Sequence, residues 1–169
     1  MASFKKIQGM DVVTILEGAV PGTVADLQFQ LDTGVILGYR VKAGGVFGKA
    51  AGVATSAVRV LGRDVVLIEG ESALEVVTGK IASEDGRTWA SAYLGVKVLS
   101  RKGEAVGVVE DLEVSRDRVI GLALDQDRVV HVNERVTLGK DVVVLEDASQ
   151  AEKAPESGSG GFWSRMKVF

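Results

Sequence analysis

Cysteine is absent from this chain of 169 residues, and only 2 prolines and 1 histidine are present. The absence of cysteine excludes disulfides and thiolate metal sites, and it favours a cytoplasmic location. No run approaches the roughly 20 apolar residues that span a bilayer, and Met1–Asp11 lacks the apolar core of a signal peptide. The net charge of −3 offers no chain-wide attraction for nucleic acid. We therefore expect a soluble, cytoplasmic protein for which nucleic acid is not the main partner.

Glycine is abundant, with 21 residues, and valine dominates the segments between the glycines. β-Branched side chains suit the pleated surface of a sheet, and glycine accepts the positive φ angles of tight turns. Short valine-rich runs about ten residues apart, without helices between them, are typical of a small antiparallel barrel. The sequence therefore predicts an all-β fold.

A spaced pattern of glycine, valine and aspartate occurs twice. The first copy is Gly18-(x3)-Gly22-x-Val24-x-Asp26 and the second is Gly103-(x3)-Gly107-x-Val109-x-Asp111, with every position shifted by 85 residues. The two copies also end alike, in Gly62–Leu67 and Gly139–Val144. A repeat of this length is too long for a solenoid, so it predicts two small domains of one kind in tandem.

Alternating and valine-rich segments predict short strands in each copy. They are Gly9–Leu16, Thr23–Leu31, Val35–Val41, a short strand or helical turn within Gly52–Val60, and Val65–Ile68, followed by Leu94–Ser100, Ala105–Val114, Val119–Leu124, Val129–Val132 and Asp141–Leu145. Leu27, Phe29 and Leu31 alternate with glutamines, which predicts one dry and one wet face. Val24 is out of step with Leu27, which predicts a β-bulge near Asp26.

The same patterns predict where one domain ends and the next begins. We expect barrel-like domains over residues 1–70 and 94–147, a connector over 71–93, a flexible linker over 148–161, and an aromatic and basic terminal peptide over 162–169. Within the connector, Ser72–Val77 is compatible with a brief helix behind a serine cap. Trp89 and Tyr93 are expected to seal the joint between the two barrels.

The repeated pattern resembles the PRC-barrel family. The resemblance rests on the G-x3-G-x-V-x-D motif, on a glycine in the third strand and on the closing Gly-x-Asp-Val-Val; the first copy also contains the family-like stretch Gly44–Lys49. The family is named for the cytoplasmic domain of the photosynthetic reaction centre H subunit. It also includes the C-terminal domain of the bacterial ribosome maturation factor. The resemblance implies two tandem small antiparallel β-barrels that act as protein-binding or assembly modules without a shared catalytic centre.

Candidate catalytic and metal-binding residues all have a structural interpretation. His131 has no evident nucleophile and orienting partner, so we interpret it as a half-exposed strand residue. Asp26 and Asp111 hold equivalent places, and a carboxylate at a strand bend is suited to accept backbone N–H groups. Glu110, Asp111 and Glu113 do not match an EF-hand loop. We therefore predict no catalytic residue, no cofactor and no metal site.

The loop Gly44–Lys49 is the first candidate contact segment. It is not a phosphate-binding P-loop, because its spacing differs and Ala50 stands where serine or threonine would bind magnesium. We interpret it as a flexible loop in which Phe47 is a second candidate for partner contact.

The last eight residues form the second candidate contact segment. Four apolar side chains fall near one helical face and two basic ones on the other: Phe162, Trp163, Met166 and Phe169, with Arg165 and Lys167. A peptide of this length does not form a stable helix alone, so a surface must order it. That surface is a protein partner, the chain's own barrels or an anionic membrane, and the residue types favour a protein interface.

We expect a non-enzymatic adaptor in which two barrels form a rigid body and the tail docks a partner by raising its effective concentration. The candidate contact residues are Phe162, Trp163, Arg165, Met166, Phe169 and Phe47. The alternatives are a ribosome-associated or RNA-processing factor, which the acidic balance disfavours, and a peripheral membrane scaffold. The oligomeric state, including a homo-oligomer, stays open.

Overall fold

Strands dominate the computed structural model, which describes residues 2–43, 50–76 and 86–155. In chain order the strands are β1 (Ala2–Ser3), β2 (Asp11–Thr14), β3 (Gly22–Gln30), β4 (Ile36–Ala43), β5 (Ala50–Ala54), β6 (Val58–Leu61), β7 (Val65–Ile68), β8 (Glu75–Val76), β9 (Arg87–Trp89), β10 (Lys97–Ser100), β11 (Ala105–Ser115), β12 (Arg118–Leu124), β13 (Arg128–His131), β14 (Val136–Leu138), β15 (Val142–Leu145) and β16 (Glu152–Lys153). Two one-turn helices, α1 (Phe4–Ile7) and α2 (Ala90–Tyr93), precede β2 and β10. The all-β fold that the sequence predicts is confirmed.

The strands form two sheets with the same order. The first sheet runs β6-β7-β2-β3-β4-β5-β8, and the second runs β14-β15-β10-β11-β12-β13-β16. Most neighbours are antiparallel, as expected, but β2 with β7 and β10 with β15 are parallel. In each repeat this parallel pairing brings the closing strand, β7 or β15, beside the first strand, β2 or β10. The described ladders do not join the two ends of either sheet, so closure of each into a barrel stays a prediction.

The long strands β3 and β11 carry β-bulges at equivalent places. The register shifts between Val24 and Asp26 in β3 and between Val109 and Asp111 in β11. In each bulge the aspartate Oδ1 accepts the next backbone N–H, from Leu27 at 2.9 Å and from Leu112 at 2.8 Å. A short acceptor side chain therefore satisfies a backbone donor where the ladder is interrupted. The predicted bulge and the structural interpretation of both aspartates are confirmed.

One hydrophobic cluster contains buried side chains from both sheets. Leu27 and Phe29 belong to it and are fully buried, as their alternation predicts. The expectation of a wet opposite face is wrong at Gln28, which is only 6% exposed. The reason is that β9 pairs with β3 and sets Trp89 opposite Gln28. A cross-strand neighbour from elsewhere in the chain therefore stands beside Gln28, on the face that local periodicity assigns to solvent.

Two other local predictions also change. The helix expected over Ser72–Val77 is a 3-10 turn at Glu71–Ala73 followed by β8, because Glu75 and Val76 join the ladder of β5. Strand β14, which pairs with β15, has no counterpart among the strands predicted from sequence. The domain boundaries stay predictions. No helix among the described residues is long and apolar enough to cross a bilayer.

Candidate interaction surfaces

The two sheets exchange their lead-in segments, by which we mean β1 with α1 (Ala2–Ile7) and β9 with α2 (Arg87–Tyr93). Strand β1 precedes the first sheet but pairs with β11 of the second, with Ser3 opposite Glu113. Strand β9 precedes the second sheet but pairs with β3 of the first, with Trp89 opposite Gln28. Each sheet is therefore completed by a segment that leads into the other.

The bulge aspartates fasten this exchange. Asp26 Oδ1 accepts the backbone N–H of Ser91 in α2 at 3.1 Å, and its other oxygen contacts the Ser91 hydroxyl. Asp111 Oδ1 accepts the backbone N–H of Lys5 in α1 at 3.1 Å. Free N–H groups at a helix start need acceptors. The first sheet supplies one to α2, which leads into the second sheet, and the second sheet supplies one to α1, which leads into the first. Asp26 is 1% exposed and also lies 3.8 Å from the Arg40 guanidinium.

Aromatic side chains pack where the sheets meet. The Tyr93 ring meets Phe29 edge to face at 5.3 Å, and its hydroxyl donates to the Gly139 carbonyl at 2.9 Å. The Arg40 guanidinium lies over the Trp89 ring at 5.1 Å. Tyr93 therefore contacts both sheets at their joint, as expected, whereas Trp89 contacts Gln28 and Arg40 of the first sheet and its role at the joint stays a prediction.

Glu113 is a buried carboxyl group at this junction. It is 8% exposed and occupies the place that Gln28 has in the first sheet. Burial raises its pKa to about 7, and the neighbouring Asp111 carboxylate adds to the rise, whereas Lys6 opposes it. Packing of the α1 lead-in segment therefore includes a group that titrates near neutral pH.

An apolar turn, Ile15–Val20, follows β2 and leaves large side chains in solvent. Ile15 is 51% exposed, Leu16 70% and Val20 57%. The equivalent turn after β10, which we call the charged turn, is Arg101-Lys102-Gly103-Glu104, and all four residues are exposed. The two turns share their internal hydrogen bonds, so the apolar residues are not needed to form the turn.

The shared hydrogen bonds come from equivalent hydroxyl residues. Thr14 Oγ1 accepts the N–H of Ala19 at 3.1 Å, and Ser100 Oγ accepts the N–H of Glu104 at 3.3 Å. Both hydroxyl residues are buried. A shallow depression of about 320 Å³, lined in part by Val20 and Ala43, lies beside the apolar turn. Ala43 is the last described residue before the loop that contains Phe47.

A basic cleft of about 970 Å³ lies where β6 faces the β11–β12 hairpin and α1. Four cationic side chains line it, whereas a single lining residue, Asp117, is acidic; the cations are Lys6, Arg59, Arg63 and Arg116. Val58, Val60 and Leu61 of β6 provide an apolar wall, and Val60 is 48% exposed. The cleft therefore combines positive charge with apolar surface.

Tyr39 is one of the residues that line this basic cleft. Its hydroxyl is buried and has no hydrogen-bond partner among the described residues. Burial, and then the nearby Asp117 carboxylate, raise the pKa of Tyr39 to about 12. The phenol is therefore neutral at physiological pH and keeps an unused O–H donor, which is costly in a buried position.

The contact residues predicted from sequence lie outside the described residues. These are Phe47, Phe162, Trp163, Arg165, Met166 and Phe169, and their roles stay predictions. Sequence reasoning omitted the apolar turn and the basic cleft. Comparing the two turns residue by residue would have revealed the first, since in the part of the chain that the structure describes three of the four strongly exposed apolar side chains lie in one turn.

The candidate catalytic residues do not meet in the basic cleft. His131 lies on β13 opposite Gly121, and burial lowers its pKa. Both bulge aspartates are engaged with backbone N–H groups. Within the described ranges, no group of three or more histidine, cysteine or acidic residues is arranged to hold a metal ion.

Sequence comparison assigns the first part of the chain. The PRC-barrel domain family matches residues 1–81, the span of the first sheet and of the α1 lead-in segment. Residues 1–81 belong to the PRC-barrel family. A search of curated proteins returned no significant match. The second sheet has the strand order of this PRC-barrel domain, although the family match does not extend to it.

The family match and the geometry together locate what is distinctive in the PRC-barrel domain. Its strands, bulge and closing turn have counterparts in the second sheet. The residue types of its exposed apolar turn and of the arginine-bearing strand β6 are not repeated there, since the equivalents are the charged turn and the uncharged strand β14. PRC-barrel domains are small β modules often involved in protein interactions, and these two surfaces are where this chain departs from its own internal counterpart.

Proposed function

We propose that this protein is a non-enzymatic adaptor that binds a protein partner through its PRC-barrel domain and its C-terminal peptide. The apolar turn carries the proposal. Ile15, Leu16 and Val20 are all more than half exposed, and contiguous exposed apolar side chains on a soluble protein mark interaction sites. The charged turn of the second sheet supports this interpretation, since it forms the same bend without apolar residues.

The two sheets supply a rigid body for this adaptor. The exchanged lead-in segments and the shared hydrophobic cluster tie the sheets together. The C-terminal peptide supplies the second contact through Phe162, Trp163, Arg165, Met166 and Phe169. Two weak contacts on one chain reinforce each other through effective concentration.

The experiment is affinity capture from cells of the source organism, read by crosslinking and mass spectrometry. The test variants are Ile15→Ser/Leu16→Ser and a deletion of residues 162–169. The matched control is Lys102→Ser/Glu104→Ser, which alters the equivalent turn of the second sheet. We expect each test variant to lower capture of the same protein by about tenfold, and the control to leave it unchanged.

The alternatives give different results in the same experiment. Ribosomal particles captured in a salt-sensitive way would favour the RNA-associated function, and recovery only with anionic vesicles would favour a membrane scaffold. Capture that survives both test variants would overturn the proposal.

A further inference from the structure

The basic cleft is the strongest feature that the apolar turn does not explain. The chain as a whole is acidic, with a net charge of −3, yet the charged side chains that line the cleft are four cations and one carboxylate. Clustered charge of one sign in a concave site raises the local concentration of ligands of the opposite sign. The cleft is therefore suited to an anionic ligand.

The cations have few competing partners nearby. Arg59 pairs with Glu69 at 3.0 Å and Arg63 with Asp64 at 3.9 Å. In both pairs, the basic and the acidic side chain are each more than half exposed. Exposed pairs of this kind contribute little and are readily exchanged. Arg116 has no ion-pair partner among the described residues. It has a φ of 52° at the tip of the β11–β12 hairpin, an uncommon conformation for a residue with a side chain.

A β-bulge at Arg59 distinguishes β6 from its counterpart β14. The β6–β7 register shifts between Val58 and Val60, so Arg59 is the extra residue, whereas β14 pairs with β15 without a shift. Bulges redirect side chains and interrupt further strand pairing. The bulge therefore favours a ligand held by side chains over one that extends the sheet.

Tyr39 provides an independent indication of a ligand. Tyr39 lines the cleft, and its buried hydroxyl is unpaired among the described residues. A neutral phenol donates to carboxylate oxygens. The hydroxyl donor and the surrounding cations thus both favour a carboxylate oxygen of the ligand.

We propose that the basic cleft binds an acidic segment of a partner protein, whose carboxylates meet Lys6, Arg59, Arg63 and Arg116 while an apolar side chain packs on Val60 and Leu61. The apolar wall, and the lack of an exposed aromatic ring among the lining residues, favour a peptide over single-stranded nucleic acid, which stacks its bases on such rings. The chain's own terminal peptide is unsuited, because Arg165 and Lys167 have the same sign of charge as the cleft. This inference rests on the proposed function only in taking the partner to be a protein.

The test is fluorescence anisotropy of a short labelled peptide of alternating glutamate and leucine, titrated with the full chain. A second peptide has glutamine in place of glutamate. We expect the glutamate peptide to bind about tenfold more tightly than the glutamine peptide at low salt, and this advantage to fall as salt is raised.

Two double variants locate the binding site. Arg63→Glu/Arg116→Glu reverses two cleft charges, and Arg101→Glu/Lys140→Glu makes the same charge change on the second sheet. We expect about a tenfold loss of affinity for the cleft variant and less than about a twofold change for the control. Equal losses would show only a response to net charge and would overturn the inference.

Tyr39→Phe tests the hydroxyl donor separately from the charges, because the substitution changes the affinity for the glutamate peptide without changing the net charge of the cleft. Removing an unpaired buried hydroxyl is expected to leave stability unchanged or raised, while the glutamate peptide binds about threefold more weakly. An unchanged affinity would contradict the donor role. Tighter binding of a single-stranded RNA at the same cleft residues would replace the peptide with nucleic acid.

The two proposals fail separately. Ile15→Ser/Leu16→Ser is expected to leave affinity for the glutamate peptide unchanged, since the apolar turn does not line the cleft. Absence of peptide binding to the wild-type chain would overturn the cleft inference and leave the apolar turn as the proposed contact. Loss of partner capture in the turn variant alone would support the adaptor function independently.

Discussion

The two sheets of this protein share a scaffold and differ in the chemistry that they expose. Strand order, the bulge aspartates, the exchanged lead-in segments and the closing turns correspond one to one. The turn after the first strand is apolar in one sheet and charged in the other. Since one fold accommodates both turns, the difference is not a requirement of folding. It is the difference on which the proposed role of the apolar turn rests.

The largest effect on stability is expected at the two bulge aspartates. Asp26 is almost fully buried and holds Leu27, Ser91 and Arg40, whereas Asp111 holds two backbone donors in a less buried site. We expect Asp26→Ala to lower the free energy of unfolding by about 4 kcal/mol and Asp111→Ala by about 2 kcal/mol. Urea unfolding measures both. Equal losses of unfolding free energy would contradict the difference in burial and bonding between the two bulge aspartates.

The second comparison concerns the equivalent glycines Gly22 and Gly107. A Cβ on Gly22 would collide with the backbone carbonyl of Lys42, and one on Gly107 would meet the side chains of Asp125 and Arg128. Side chains move aside more easily than a ladder strand. Gly22→Ala should therefore cost about 3 kcal/mol of unfolding free energy and Gly107→Ala about 1 kcal/mol. A larger loss at Gly107 would show that its side-chain neighbours are as fixed as backbone.

The third comparison concerns Glu113 and its counterpart Gln28 in the first sheet. The variant Glu113→Gln gives the second sheet the residue type that the first sheet has at this place. The pKa of Glu113 is raised from 4.5 to about 7 in the folded state, so the folded protein binds more protons than the unfolded chain between those values. Its contribution to stability is present at low pH and is lost as pH rises towards about 7.

Glu113→Gln removes this dependence. We expect the variant to unfold with about 1.5 kcal/mol more free energy than the wild type at pH ~8, and with no difference at pH ~4. Urea unfolding at the two pH values measures this difference. The same difference at both pH values would mean that proton binding at Glu113 is not its source.

The smallest effect on stability is expected in the apolar turn. Ile15 and Leu16 are exposed, and their backbone N–H groups donate to Ile68 and Glu69 regardless of side chain. Ile15→Ser/Leu16→Ser should therefore change the free energy of unfolding by less than about 0.5 kcal/mol. Thermal unfolding compared with Lys102→Ser/Glu104→Ser checks this. A much larger loss would make the turn structural and remove the reason for treating it as a contact.

Local sequence patterns account for most strands and for the bulge beside Asp26. Alternation of Leu27 and Phe29 locates the buried face of β3, and the out-of-step Val24 locates the bulge beside Asp26. These features depend on neighbours in sequence, which periodicity reports directly. The repeated motif also indicates that both sheets follow the same plan.

The exchange of lead-in segments could not be predicted in this way. Ala2 pairs with Val114 and Trp89 with Gln28, and no local pattern records a partner that far along the chain. Gln28 and Glu113 are buried for the same reason. The basic cleft likewise brings together Lys6, Arg59 and Arg116 from three distant segments.

The most direct test of the adaptor proposal is a graft of the charged turn into the PRC-barrel domain. Residues 15–19 are replaced by Arg101-Lys102-Gly103-Glu104, so that Thr14 plays the part that Ser100 plays in the second sheet. Capture of the partner is then compared with the wild type. We predict a chimera that folds with unchanged cooperativity and captures the partner at least about tenfold less well, since only the terminal contact is retained. A folded chimera that captures the same protein with undiminished yield would contradict the account.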